Sequence, residues 1–102
     1  MQMLTINCSP AIEDDLIDAL LAIEGVTGFT VLKAQGHGPV GAMSIAEQVA
    51  GRRQRVQVQI TLPATRVKNC LRQLADALPS PDIMYWITPV LGFGRLGDAM
   101  AF

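Results

Sequence analysis

Eight basic and nine acidic side chains in 102 residues leave the charge nearly balanced, which removes the electrostatic basis for nucleic acid or an anionic membrane as the main partner. Half of the residues are hydrophobic and only 17% are charged, apolar enough for so small a chain that part of its surface is expected to be covered by another copy. The length predicts a single domain over residues 1–102. The absence of a basic leader or of about eighteen consecutive apolar residues predicts a cytoplasmic protein with no direct membrane insertion.

Residues 2 to 7 alternate, Leu4 and Ile6 on one face and Met3 and Thr5 on the other, which predicts a half-buried strand. Ser9 is placed as an N-cap and Pro10 suits a first helical turn, while Glu13, Asp14 and Asp15 put negative charge at the positive end of the helix dipole. Ile12, Leu16, Ile17, Leu20 and Ile23 form the apolar stripe of this helix; Asp14, Asp15 and Asp18 face away and Gly25 closes it. Val26 to Lys33, with Phe29 and Val31 pointing together, predicts a second strand.

A Gly-rich stretch of about twenty residues follows, roughly 34–54, where antiparallel neighbours are normally joined by about two to five residues. A connection of that length points to function, and it holds the only histidine, His37. Ser44 and Glu47 have capping-box spacing for a short turn inside it. Arg55 to Leu62 then alternates cleanly, with Val56, Val58, Ile60 and Leu62 against Gln57, Gln59 and Thr61. After Pro63 the spacing becomes helical, placing Val67, Cys70, Leu71, Leu74 and Leu78 inward up to Pro79-Ser80-Pro81. Ile83 to Thr88 predicts a fourth strand, and a Gly-punctuated exit segment follows from Pro89.

The order βαββαβ predicts an α+β, ferredoxin-like domain: a four-stranded antiparallel sheet with two helices on one face. The opposite face, with Thr5, Gln57, Gln59 and part of strand four, is left to water or to another subunit, and the apolar composition favours the subunit.

This fold hosts many functions, so the residues must supply the argument. His37 has no neighbouring carboxylate to orient it and no nucleophile motif is present, so no enzymatic activity is expected. Imidazole binds zinc or copper, which makes His37 a candidate metal ligand, with Cys8, Met43 or Met84 as possible helpers; the plainer reading is a surface histidine between glycines. Cys8 and Cys70 lack CxxC spacing and read as buried thiols. RNA binding by the open sheet would rest on Tyr85 and Trp86 alone. Anion binding is better supported, because Gly36, Gly38 and Gly41 permit close backbone approach and Arg52, Arg53, Arg55 and Arg95 stand near loop ends. The alternative is that Arg52 and Arg53 are solvated charges.

Lys33-Ala34-Gln35-Gly36-His37-Gly38 resembles the stretch that opens the T-loop of PII signalling proteins. Arg55 to Ile60 is similar to their basic-led third strand, and Ile83 to Gly97 to their last strand and exit segment, so that Arg55 and Arg95 fall on basic positions that contact nucleotide. His37 replaces the usual basic residue, Phe93 stands at the other C-terminal basic position, and the expected phosphate loop is reduced to Leu78-Pro79-Ser80-Pro81-Asp82. These departures argue against ATP binding. No tyrosine in the loop could accept uridylylation, since the single tyrosine is Tyr85.

Trp86-Ile87-Thr88-Pro89-Val90 and the short loops are similar to an uncharacterised PII-like family of bacteria, often encoded beside RND-type heavy-metal efflux pumps. The resemblance implies a non-enzymatic signalling protein and a homotrimer with sheets facing a central axis. A small ligand would lie between subunits near Gly36, His37, Gly38, Arg55 and Arg95. The partner would be a membrane transporter or efflux pump reached by the long loop. The alternatives are a CutA-like protein that binds a divalent metal directly and an amino-acid-binding ACT-type module, against which the long loop argues.

Overall fold

The computed structural model describes residues 1–37, 53–79 and 81–101, with side chains up to residue 99. Four strands, β1 (Gln2–Cys8), β2 (Thr30–Gly36), β3 (Arg53–Leu62) and β4 (Met84–Pro89), form one sheet in the order β2-β3-β1-β4. Every pairing is antiparallel. Helices α1 (Glu13–Leu21) and α2 (Ala64–Ala77) complete the α+β, ferredoxin-like arrangement that the sequence predicts.

Alternation along the two central strands decides which sheet face the helices cover. Leu4, Ile6 and Cys8 of β1 and Val56, Val58, Ile60 and Leu62 of β3 are buried with Leu16 and Leu20 of α1 and Val67, Cys70 and Leu74 of α2. At about 25 cal/mol per Å² of apolar surface removed from water, this cluster is the main favourable term for folding. The acidic side chains Asp14, Asp15 and Asp18 are exposed, as the stripe requires.

The boundaries differ from expectation in ways that have physical causes. Pro10–Ile12 form a 3-10 turn before α1, and Ser9 makes no side-chain cap; its backbone N–H goes to Asp82 instead. Val26 to Phe29 do not join the sheet, and β2 is shifted toward the C-terminus, running from Thr30 to Gly36. Its pairing with β3 carries the ladder as far as Gly36 opposite Arg53, so the paired strands extend into the stretch expected as loop. The capping-box pair Ser44 and Glu47, together with Gly38, Gly41, Met43 and Arg52, lies outside the described residues. The fourth strand begins one residue later than expected, at Met84.

Gly25 closes a turn rather than the helix. The backbone N–H of Val26 donates to the Ile23 carbonyl at 3.3 Å, and Gly25, third in that turn, has φ +91°. A β-carbon there would also meet the Arg66 guanidinium, which is flexible and can move, so the backbone term dominates. Gly25→Ala is expected to cost about 1–2 kcal/mol, read as a lower urea midpoint with an unchanged slope.

Among the described residues no helix lies on the other face of the sheet. Cross-strand register places Thr30, Gln59, Thr5 and Trp86 in one row and Leu32, Gln57, Asn7 and Met84 in the next. Thr5 is an exception to the expected exposure: it is buried, because its neighbours across both pairings, Gln59 and Trp86, are long enough to shield it. Leu32, Met84 and Trp86 are 41%, 61% and 41% exposed.

Candidate functional site

At one end of the bare face the ends of β1, β2 and β3 meet the segment entering β4. Alternation puts Arg53 and Arg55 on the same face as Gln57, and pairing sets Ala34 beside Arg55 and Gly36 beside Arg53. A β-carbon on Gly36 would come within 3.2 Å of Arg55 Cγ, so the glycine leaves room for the arginine stem. Arg55 is 7% exposed, which makes it the one buried cation among the described residues.

Its guanidinium is held on every side. Nε donates to Asn7 Oδ1 at 2.6 Å, Nη1 donates to both carboxylate oxygens of Asp82 at 2.9 and 3.1 Å, and Nη2 donates to the Asp82 carbonyl at 3.1 Å. Asp82 also accepts from the Ser9 backbone N–H at 3.0 Å and from Arg53 Nη2 at 3.3 Å. One carboxylate thus ties the end of β1, the start of β3 and the segment before β4. Burying a charge is costly unless it is paired and hydrogen-bonded, and this cluster meets both conditions for Arg55.

Burial alone would raise the Asp82 pKa, but the hydrogen bonds from Arg55 and Ser9 and the Arg55 charge outweigh it and hold the carboxyl below its ordinary value. Two guanidiniums face the one carboxylate, and among the described residues Arg53 Nε is buried with no acceptor.

The expected site residues are only partly brought together. Gly36 and Arg55 are adjacent, and His37 follows directly on β2 with its ring exposed. Arg95 is exposed in the exit segment, two residues beyond Phe93, and Phe93 borders a cleft with Met1 and Thr61 at the opposite end of β3 from Arg55. A site using both arginines therefore needs two copies of the chain. Asp82, Asn7 and Ser9 were not legible as site residues, because their roles depend on cross-strand proximity rather than on any spacing along the chain.

Cys8 and Cys70 are free and buried. Burial pushes both thiols upward in pKa, only partly offset at Cys8 by Arg55, so neither is a ready thiolate ligand or nucleophile. Among the described residues no three His, Cys, Asp or Glu side chains gather as a metal site. Tyr85 and Trp86 pair with Ile6 and Thr5 respectively and so lie on opposite sheet faces, which denies RNA a common stacking platform. No helix among the described residues is long and apolar enough to cross a membrane.

A family model described as "Protein of unknown function (DUF3240)" matches residues 1–97. The chain belongs to the DUF3240 family. A solved structure of a DUF3240 family protein from Shewanella baltica OS155 is similar to it, with 25% identity, a TM-score of 0.75, and 93% of this chain and 94% of the other covered. In all, 193 chains of solved structures match this DUF3240 protein, so the architecture is widely shared and does not by itself select a function. No curated protein matches it.

Proposed function

We propose that this DUF3240 protein is a non-enzymatic, PII-like regulatory protein that works as a homotrimer, senses a small ligand and docks a partner such as a heavy-metal efflux system. The observation that carries the reading is the bare sheet face. Leu32, Met84 and Trp86 stand exposed beside Gln57, Gln59 and Thr30 on a surface that no helix among the described residues covers. A face with apolar residues at its flanks and amides at its centre suits sheet packing between copies better than permanent hydration. The resemblance to PII proteins in the Lys33 to Gly38 stretch and the third strand gives the copy number.

In this reading the ligand lies between copies, against Gly36 and His37 of one chain and Arg95 of the next. Arg55 holds the shape of that end, since Asp82 and Asn7 already take its donors. Isothermal titration with ATP, ADP, AMP, zinc and copper tests the proposal. Arg95 is exposed, so Arg95→Ala should leave folding unchanged while weakening an anionic ligand by about ten-fold or more, as loss of a charge-assisted hydrogen bond does. Zinc or copper binding abolished by His37→Ala would instead favour the CutA-like metal reading, and no heat with any probe would remove the sensing role.

A further inference from the structure

The sheet-face contact accounts for only one side of β4. Met84 and Trp86 lie on the bare face, but Tyr85 and Ile87 point to the helix side and are still 57% and 41% exposed. There Tyr85 borders an apolar groove of about 500 Å³ whose walls include Leu71 and Ala75 of α2 and Leu78 just past its end, with Ile83 and Tyr85 opposite and Arg72 on the rim. The floor reaches Ile6, Leu16 and Leu74, which belong to the core. Its floor residues are themselves buried, so what the groove leaves open to water in a lone chain is its walls, Tyr85 above all.

The same chain carries an apolar segment without a seat. Beyond β4, Leu91 and Leu96 are 93% and 91% exposed, and Asp98 follows on the short 3-10 turn. The segment is tied to its own chain by the Val90 N–H donating to the Met1 carbonyl, at the end of β4 away from Ile83. To enter its own groove it would have to reverse and run the length of β4, whereas Phe93 already lies toward Met1 and Thr61.

We propose that the exit segment of one copy, anchored by Leu91 and Leu96, occupies the α2–β4 groove of a neighbouring copy. Three features argue for a second copy as the occupant. Groove and segment are both apolar and both exposed in one chain. Their charges are complementary, with Arg72 on the groove rim and Asp98 just past Leu96. The groove also lies on the other face of the strand that the sheet-face contact uses, so a single assembly covers both faces of β4. A head-to-tail contact of this kind closes into a ring when its rotation permits, as a trimer requires. This inference rests on the self-association proposed above and adds a second, separate contact to it.

The test is cysteine cross-linking of the full chain carrying Leu96→Cys with Ala75→Cys, and separately Leu91→Cys with Ala75→Cys. Both changed positions of each pair are exposed, and native Cys8 and Cys70 are buried. After mild oxidation, non-denaturing mass spectrometry and peptide mapping should find chains joined by a disulfide from the exit segment of one to residue 75 of another. The single-cysteine variants should not give that linkage. An oligomer in which neither pair links would overturn the groove contact while leaving the sheet-face association standing. A disulfide within one chain would overturn it too, by making the segment's own groove the seat. A monomer would remove both. As a second measurement, Arg72→Glu should loosen the assembly and Asp98→Arg should restore it in the double variant; failure of that rescue counts against the pairing.

Discussion

Asp82→Ala is expected to lower the unfolding free energy by about 3–5 kcal/mol, because it leaves the Arg55 charge buried and unpaired. The loss is larger than for an exposed ion pair, whose worth is about 0–1 kcal/mol, since Arg55 is almost fully buried in the folded chain. Asp82→Asn keeps an acceptor and should cost less. Removing both charges in Asp82→Ala with Arg55→Met should recover much of the loss, so a double-mutant cycle by urea denaturation should show strong coupling. Additive losses would mean that the pair is not the tie across β1, β3 and β4.

The same carboxylate gives a pH signature. Its folded pKa lies below the ordinary value, so the folded state favours the ionised form. Its contribution is fully present above the ordinary carboxylate pKa of about 4, and it is lost as pH falls from there through the lower folded value. Acid unfolding of the native protein should show this component, and Asp82→Asn should lack it.

Trp86→Asp should break self-association without unfolding the chain. An aromatic buried in an interface commonly contributes about 2 kcal/mol or more, roughly thirty-fold in a dissociation constant. Trp86 is an exposed residue on an edge strand, so the variant's own stability should fall by no more than about 1 kcal/mol, the scale of a cross-strand pair. Size-exclusion chromatography with light scattering reads the first effect and denaturation the second. A variant that keeps the native mass would place the interface elsewhere on the molecule.

What could be read from the sequence and what could not separate along physical lines. Val56, Val58, Ile60 and Leu62 announced a half-buried central strand, because period-two alternation depends only on which face meets the core. The stripe of α2 was equally plain from Val67, Cys70 and Leu74. The span expected for β2 starts too early, because Val26 and Phe29 are apolar residues that pack against the core from outside the sheet, and periodicity cannot tell the two apart. The Arg55 and Gly36 juxtaposition followed from strand pairing across the long connection. Asp82 did not, since a carboxylate beside prolines before a strand looks like any solvated turn residue until β4 lies next to β1. The burial of Thr5 was hidden for the same reason: it depends on Gln59 and Trp86, which are distant in sequence.

Sedimentation equilibrium of the unaltered protein over a range of concentrations tests most directly whether the bare face of Leu32, Met84 and Trp86 is a contact between copies. The account predicts a species of three chain masses that persists on dilution. A species of one chain mass throughout would contradict it, by showing that this sheet face is stable in water.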